Sequence, residues 1–213
     1  MTNRADETPP GESAAHRRPR ADFVQDSRAA AAVEMAIVAA PFLLMVVAIL
    51  EYSFGNYVQS HLDAVVQLTA REIMTGSVQN QTANGQPLDA EHFRTKVICP
   101  KLPALMSCAD IFVDVQAFEP PAGGGAPGTT PYQSYVAPAK DGLKPPALDN
   151  ARNAYCVGGP KKFVVLRVSY PSPILTTTTV FPNATTYKGR KTRVVTSTAT
   201  FKNEPFPTSR INC

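Results

Sequence analysis

Residues 28–52 read RAAAAVEMAIVAAPFLLMVVAILEY, an apolar run broken by a single acid, Glu34, before it closes on Glu51 and Tyr52. The hydrocarbon core of a bilayer takes roughly 20 apolar residues as a helix, and residues 29–50 supply about that many. The run predicts a transmembrane helix over residues 29–51, with all that follows on the far side of the membrane. A removed secretory signal does not fit, because the run exceeds an apolar region of about 7–15 residues and no small-x-small site follows Leu50. Glu34 is the residue a plain anchor leaves unexplained. A carboxylate near the end of a membrane helix costs on the order of 1–3 kcal/mol unless it is protonated, snorkelling or paired, so it marks a function.

Outward from the run, residues 1–28 hold Arg4, Arg17, Arg18, Arg20 and Arg28 together with five acids, Pro9, Pro10, Gly11 and Pro19. Their composition predicts a disordered leader. Arg17, Arg18, Arg20 and Arg28 stand just before the run and only Arg71 stands within about 20 residues after it, which keeps the N-terminus in the cytoplasm. The formal net charge of +4 is modest for 213 residues. Only residues 188–191, Lys-Gly-Arg-Lys, cluster cations, a pattern that suits a solvated turn, and nucleic acid is not an expected partner.

Past the run, Phe54, Val58, Leu62, Val65, Thr69 and Ile73 recur at spacings of three and four, so the helix continues as an amphipathic one until Gly76 stops it. From 29 to 75 it would extend roughly 70 Å, with a kink at Pro41. Asn84 and Gly85 mark a turn, and Asp89 caps a short helix carrying Phe93, Val97 and Ile98. From Ile111 the period falls to two. IFVDVQAF (111–118), KFVVLRVSY (162–170) and TRVVTSTATF (192–201) predict three strands, and Thr176 to Phe181 a weaker fourth. The Pro- and Gly-rich residues 119–160 predict a long, flexible, exposed loop. The fold class expected is α+β, a long N-terminal helix packed on a small antiparallel β-sheet, in one domain over residues 52–213.

All four cysteines, Cys99, Cys108, Cys156 and Cys213, follow the run, where an oxidising compartment favours disulfides. Of three possible connectivities, Cys99 with Cys108 and Cys156 with Cys213 is favoured, since the first pair closes a short local loop. No CxxC pair exists and His16, His61 and His92 lie far from any paired cysteines, so no metal site is expected. Catalysis is not expected either. Gly123, Gly124 and Gly125 lack the Gly-Lys-Ser/Thr ending of a phosphate loop, and no nucleophile elbow is present. No cofactor is implied.

The basic leader, residues 30–34 as Ala-Ala-Ala-Val-Glu, and the apolar helix running to Glu51 and Tyr52 resemble the TadE-like pseudopilins of the Flp (tight adherence, Tad) pilus system, bacterial relatives of type IV pilins. The similarity extends to Thr69, Ala70, Arg71, Thr75 and Gly76, to Cys99 and Cys108, and to residues 203–206, Asn-Glu-Pro-Phe. It implies a single-pass protein of the bacterial inner membrane, with cytoplasmic N-terminus and periplasmic domain. It also implies cleavage by a prepilin peptidase between Ala29 and Ala30, leaving Glu34 fifth in the mature chain. Here Ala29 stands where Gly is usual in the family, and Met35 where an aromatic residue or Leu is common. The partners implied are membrane lipid, other pilins or pseudopilins and the Tad pilus machinery, with Glu34 matched by the amine of a neighbouring subunit. The alternative reading is a bitopic inner-membrane protein whose periplasmic binding domain is unrelated to pili.

Overall fold

The computed structural model describes residues 27–83, 85–119, 135–136, 144, 147–174 and 184–207. The chain divides into two compact units, the first ending at Val46 and the second beginning at Val47. The architecture is α+β. Helix α1, Ser27–Met74, is continuous for 48 residues with Pro41 inside it. The expected Thr176 to Phe181 strand and residues 1–26 of the expected leader, 1–28, lie outside the described residues, while Ser27 and Arg28 belong to α1.

In the second unit α1 behaves as the three-and-four spacing requires. Val58, Leu62, Thr69 and Ile73 are fully buried, Val65 nearly so, and Val66 and Ala70 widen the same stripe. The helix stops where Gly76 turns left-handed, at φ +80°. Short elements then lead away: α2 (Ser77–Asn80), a hairpin of β1 (Thr82–Ala83) and β2 (Gln86–Pro87), and α3 (Ala90–Phe93). The Asp89 carboxylate caps α3 by accepting the His92 N–H at 2.7 Å, which the sequence anticipated. A π-helical turn, Arg94–Ile98, and a 3-10 turn, Cys99–Lys101, prolong α3 and carry Val97 and Ile98 into the core.

A four-stranded antiparallel sheet completes the domain, with β3 (Phe112–Phe118), β4 (Phe163–Pro173), β6 (Arg190–Lys202) and β5 (Thr185–Tyr187) side by side in that order. Leu166 of β4 sits between Val115 and Ala199 of its neighbours, and this row belongs to the same core as Leu62 of the helix. The three expected strands are present. Strand β5 was not anticipated, because three residues are too few to show a period.

Within the expected loop, residues 119–160, the described residues 150–159 attach to the edge of β3. Val115 bridges Tyr155 in parallel, accepting from the Cys156 N–H at 2.8 Å and donating to the Ala154 carbonyl at 2.9 Å. The Asn150 side chain accepts the Val113 N–H at 3.0 Å and donates to the Ile111 carbonyl at 3.1 Å. Tyr135, Val157, Gly158 and Gly159 are buried. The free edge of β3 needs partners for its backbone groups, and this segment supplies them. Proline and glycine content does not report that demand.

Candidate functional site

The apolar part of α1 offers its side chains outward on every face. Val33, Met35, Ile37, Val38, Phe42, Leu43, Leu44, Met45, Ile49 and Leu50 are 54–71 % exposed. By length and composition this helix suffices to cross a membrane. Such surface in water far exceeds the exposed apolar patches of ordinary soluble domains, and lipid or other helices are the environments that suit it. Glu34 is exposed as well, on a helix whose neighbours one turn away are Ala31, Val38 and Ile37. Arg28 precedes it by six residues, so the two backbone positions stand about 9 Å apart along α1 and about 120° apart around it.

Ala29 and Ala30, the residues flanking the expected processing site, lie within α1, which begins at Ser27. Among the described residues, two helical ones, Ser27 and Arg28, precede Ala29. The small residues Ala31, Ala32, Ala36 and Ala40 are exposed along the same stretch, where they permit close approach of another helix.

In the second unit, the Thr75-Gly76 and Asn203-Glu204-Pro205-Phe206 segments meet although they are far apart in sequence. The Glu204 N–H donates to the Met74 carbonyl at 2.9 Å, closing the end of α1. Phe206 packs directly over Gly76. Asn203, 2 % exposed, donates to the carbonyls of Gly159 at 2.9 Å and Val157 at 3.1 Å. The buried Gln79 amide donates to Ile73, Val157 and Gly158 carbonyls at 3.1, 3.3 and 3.2 Å. Sequence reasoning named Gly76 and Asn203 but missed Gln79 and Gly158. Gly158 has φ +66°, and a Cβ there would fall 2.7 Å from that of Ala117.

Cys99 and Cys108 form a disulfide across Cα atoms 5.4 Å apart. It is tied to α1 through Lys101, whose Nζ meets the Glu72 carboxylate at 2.8 Å, and Arg94 donates to the Cys108 carbonyl at 2.8 Å. Cys156 is also disulfide-bonded, and its expected partner, Cys213, lies outside the described residues.

A second polar group lies on the sheet face turned from α1. Asp114 and Arg167 are register partners on β3 and β4, and Arg167 donates to the Lys144 carbonyl. Burial pushes the Asp114 carboxyl up, against the lowering effects of the Gln116 amide and of Arg167. Burial likewise raises the Tyr135 hydroxyl, helped by the Asp114 charge. Burial lowers the Arg167 guanidinium, though Asp114 and Tyr135 oppose it. Arg167 thus holds residue 144 onto the sheet, and the Lys144 N–H, donating to the Tyr135 carbonyl, ties residue 135 to it. No group of three or more His, Cys, Asp or Glu side chains suited to a metal occurs among the described residues.

The elements define a class, an α+β protein led by one long helix whose N-terminal part is a candidate membrane span. Residues 29–71 match the family model described as TadE-like protein. That family is a component of pilus assembly. The match takes in the whole apolar stretch, Glu34, and the following helix down to Arg71. No curated protein and no solved structure matches the chain.

Proposed function

We propose that this protein is a minor pseudopilin or assembly factor of Tad/Flp-type pilus biogenesis and surface adherence. The apolar part of α1 anchors it in the bacterial inner membrane in a single pass, with the N-terminus cytoplasmic and residues 52–213 periplasmic. One observation carries the reading: the TadE-like match falls on a helix whose apolar side chains are exposed and whose only acid between residues 29 and 50 is Glu34.

In this mechanism a prepilin peptidase cuts between Ala29 and Ala30, and the new amine of one subunit meets Glu34 of another. Two charges that are each costly in lipid then neutralise one another, and their pairing fixes the axial register between helices. The exposed alanines let those helices come close. The disulfides suit the periplasm, where thiols are oxidised.

Mass spectrometry of the N-terminus, with and without the peptidase, tests the processing step, and the expected mature chain begins at Ala30. Glu34→Gln tests the pairing, with loss of pili and of surface attachment as the expected result. A full-length chain with normal piliation in both backgrounds would leave a bitopic membrane protein unrelated to pili.

A further inference from the structure

The turn between β5 and β6 carries Lys188, Arg190 and Lys191, all exposed. Tyr187 pairs with Arg190, and the two residues between them, Lys188 and Gly189, have φ of +49° and +75°, the mirror-image turn that follows strand twist. The turn is held in place. Lys188 Nζ donates to Asp110 Oδ1 at 2.6 Å, the Tyr187 hydroxyl donates to the same oxygen at 3.1 Å, and the Tyr187 ring meets Phe112 edge-on at 5.6 Å. Arg190 and Lys191 have no ion pair among the described residues.

Its place along α1 follows from contacts within the second unit. A Cβ on Gly55 would lie 3.5 Å from Arg193 Nη1, Gln67 and Met74 share a groove with Thr198 and Phe201, and the Glu204 N–H bonds to the Met74 carbonyl. Strand β6 therefore runs in the same sense as α1. Helix residues 55 to 74 answer to strand residues 193 to 204, so three residues of strand match about five of helix. Arg190 comes level with Leu50. There the close-spaced run of exposed aliphatic side chains through Val47, Ile49 and Leu50 ends, with exposed Tyr52 just beyond it.

We propose that this turn is a binding site for anionic phospholipid headgroups of the leaflet from which α1 emerges. Arg190 and Lys191 contact the phosphates, and the Asp110–Lys188 pair sets the shape of the turn. The site rests on the reading that the apolar part of α1 spans a membrane. Each cation brought to an anionic surface strengthens binding about fivefold. An acidic protein would have to reach the turn inside the headgroup layer, which is why lipid is the occupant the geometry favours.

The chain has no tryptophan, so Thr186→Trp, exposed on β5, places a single emitter beside the turn, and Leu44→Trp places one in the apolar stretch. Each full-length variant is reconstituted in vesicles containing brominated phosphatidylcholine or brominated phosphatidylglycerol. The emitter at position 186 is expected to be quenched by both, with phosphatidylglycerol preferred about fivefold or more. Adding Arg190→Gln with Lys191→Gln should bring that preference to unity, and Lys191→Glu alone should lower it without changing the melting curve. Strong quenching at 44 with none at 186 would overturn the site, including in favour of an acidic protein, while leaving the span intact. No quenching at 44 would overturn the span itself. Equal quenching by the two lipids, or a preference that survives the double substitution, also overturns the assignment.

Discussion

A Cβ on Gly76 would stand 2.4 Å from Cγ of Phe206, so the end of α1 and the segment after β6 fit together only because Gly76 has no side chain. The same residue has φ +80°. One glycine thus stops the helix and leaves space for the ring that covers the stop. Substitution meets both constraints at once.

Gly76→Ala is expected to destabilise the second unit by roughly 2–4 kcal/mol, from left-handed strain plus overpacking. Denaturant unfolding of the full-length protein in detergent measures it. Pairing it with Phe206→Ala should recover part of the loss, because the clash goes and the backbone strain stays. No recovery would mean that Phe206 does not press on this position in solution.

Asn203→Asp is expected to be more damaging at pH 7 than at pH 5. The buried amide donates to carbonyls of residues 157 and 159, and a carboxylate there would face acceptors with no proton to offer. Protonation restores one donor. Burial raises the folded pKa of such an acid, so stability should increase as pH falls through that value, and a melting temperature independent of pH would count against the latch.

Replacing both Cys99 and Cys108 by serine should cost roughly 2–3 kcal/mol, the loop-closure value for so short a loop. Reduction of the native chain should give a similar loss at this pair. The Lys101–Glu72 contact that fastens the loop to α1 should loosen with it, seen as faster amide exchange at residues 97–101.

Asp114→Asn should stabilise the domain at neutral pH. Burial raises the Asp114 carboxyl in the fold above its ordinary 3.8, so the folded state holds the proton more tightly than the unfolded chain. The cost of ionising it is absent below the unfolded value and complete once pH exceeds the folded one. The variant's advantage should therefore fade as pH falls toward about 4. An advantage that persists at lower pH would place its origin outside the Asp114 ionisation.

Much of the fold could be read from the residues because two periods were clean. The spacing of Val58, Leu62, Val65, Thr69 and Ile73 requires one buried helix face, and that face is buried. Alternation identified β3, β4 and β6. It could not identify β5, three residues long, nor the attachment of residues 150–157 to the edge of β3, which depends on backbone groups rather than side-chain pattern. On the candidate site, Glu34 and the cysteines stood out from the chain alone, whereas Ala29 and Ala30 were picked out only by the family resemblance. The roles of Gln79 and Gly158 did not stand out, since Gln79 joins the Ile73 carbonyl to carbonyls 78 and 79 residues away and Gly158 lies against Ala117 on another strand.

The sequence by itself determined the apolar helix, its lone acid, the amphipathic continuation and the strand-forming segments, because each depends on the order of residues along a few turns. The tertiary structure alone decided that Gly76 meets Phe206, that Asn203 and Gln79 share the carbonyls of residues 157 and 158, and that Tyr187 and Lys188 meet on the Asp110 carboxylate. Those are distances between segments brought together by burial of a common core, and no local pattern encodes them.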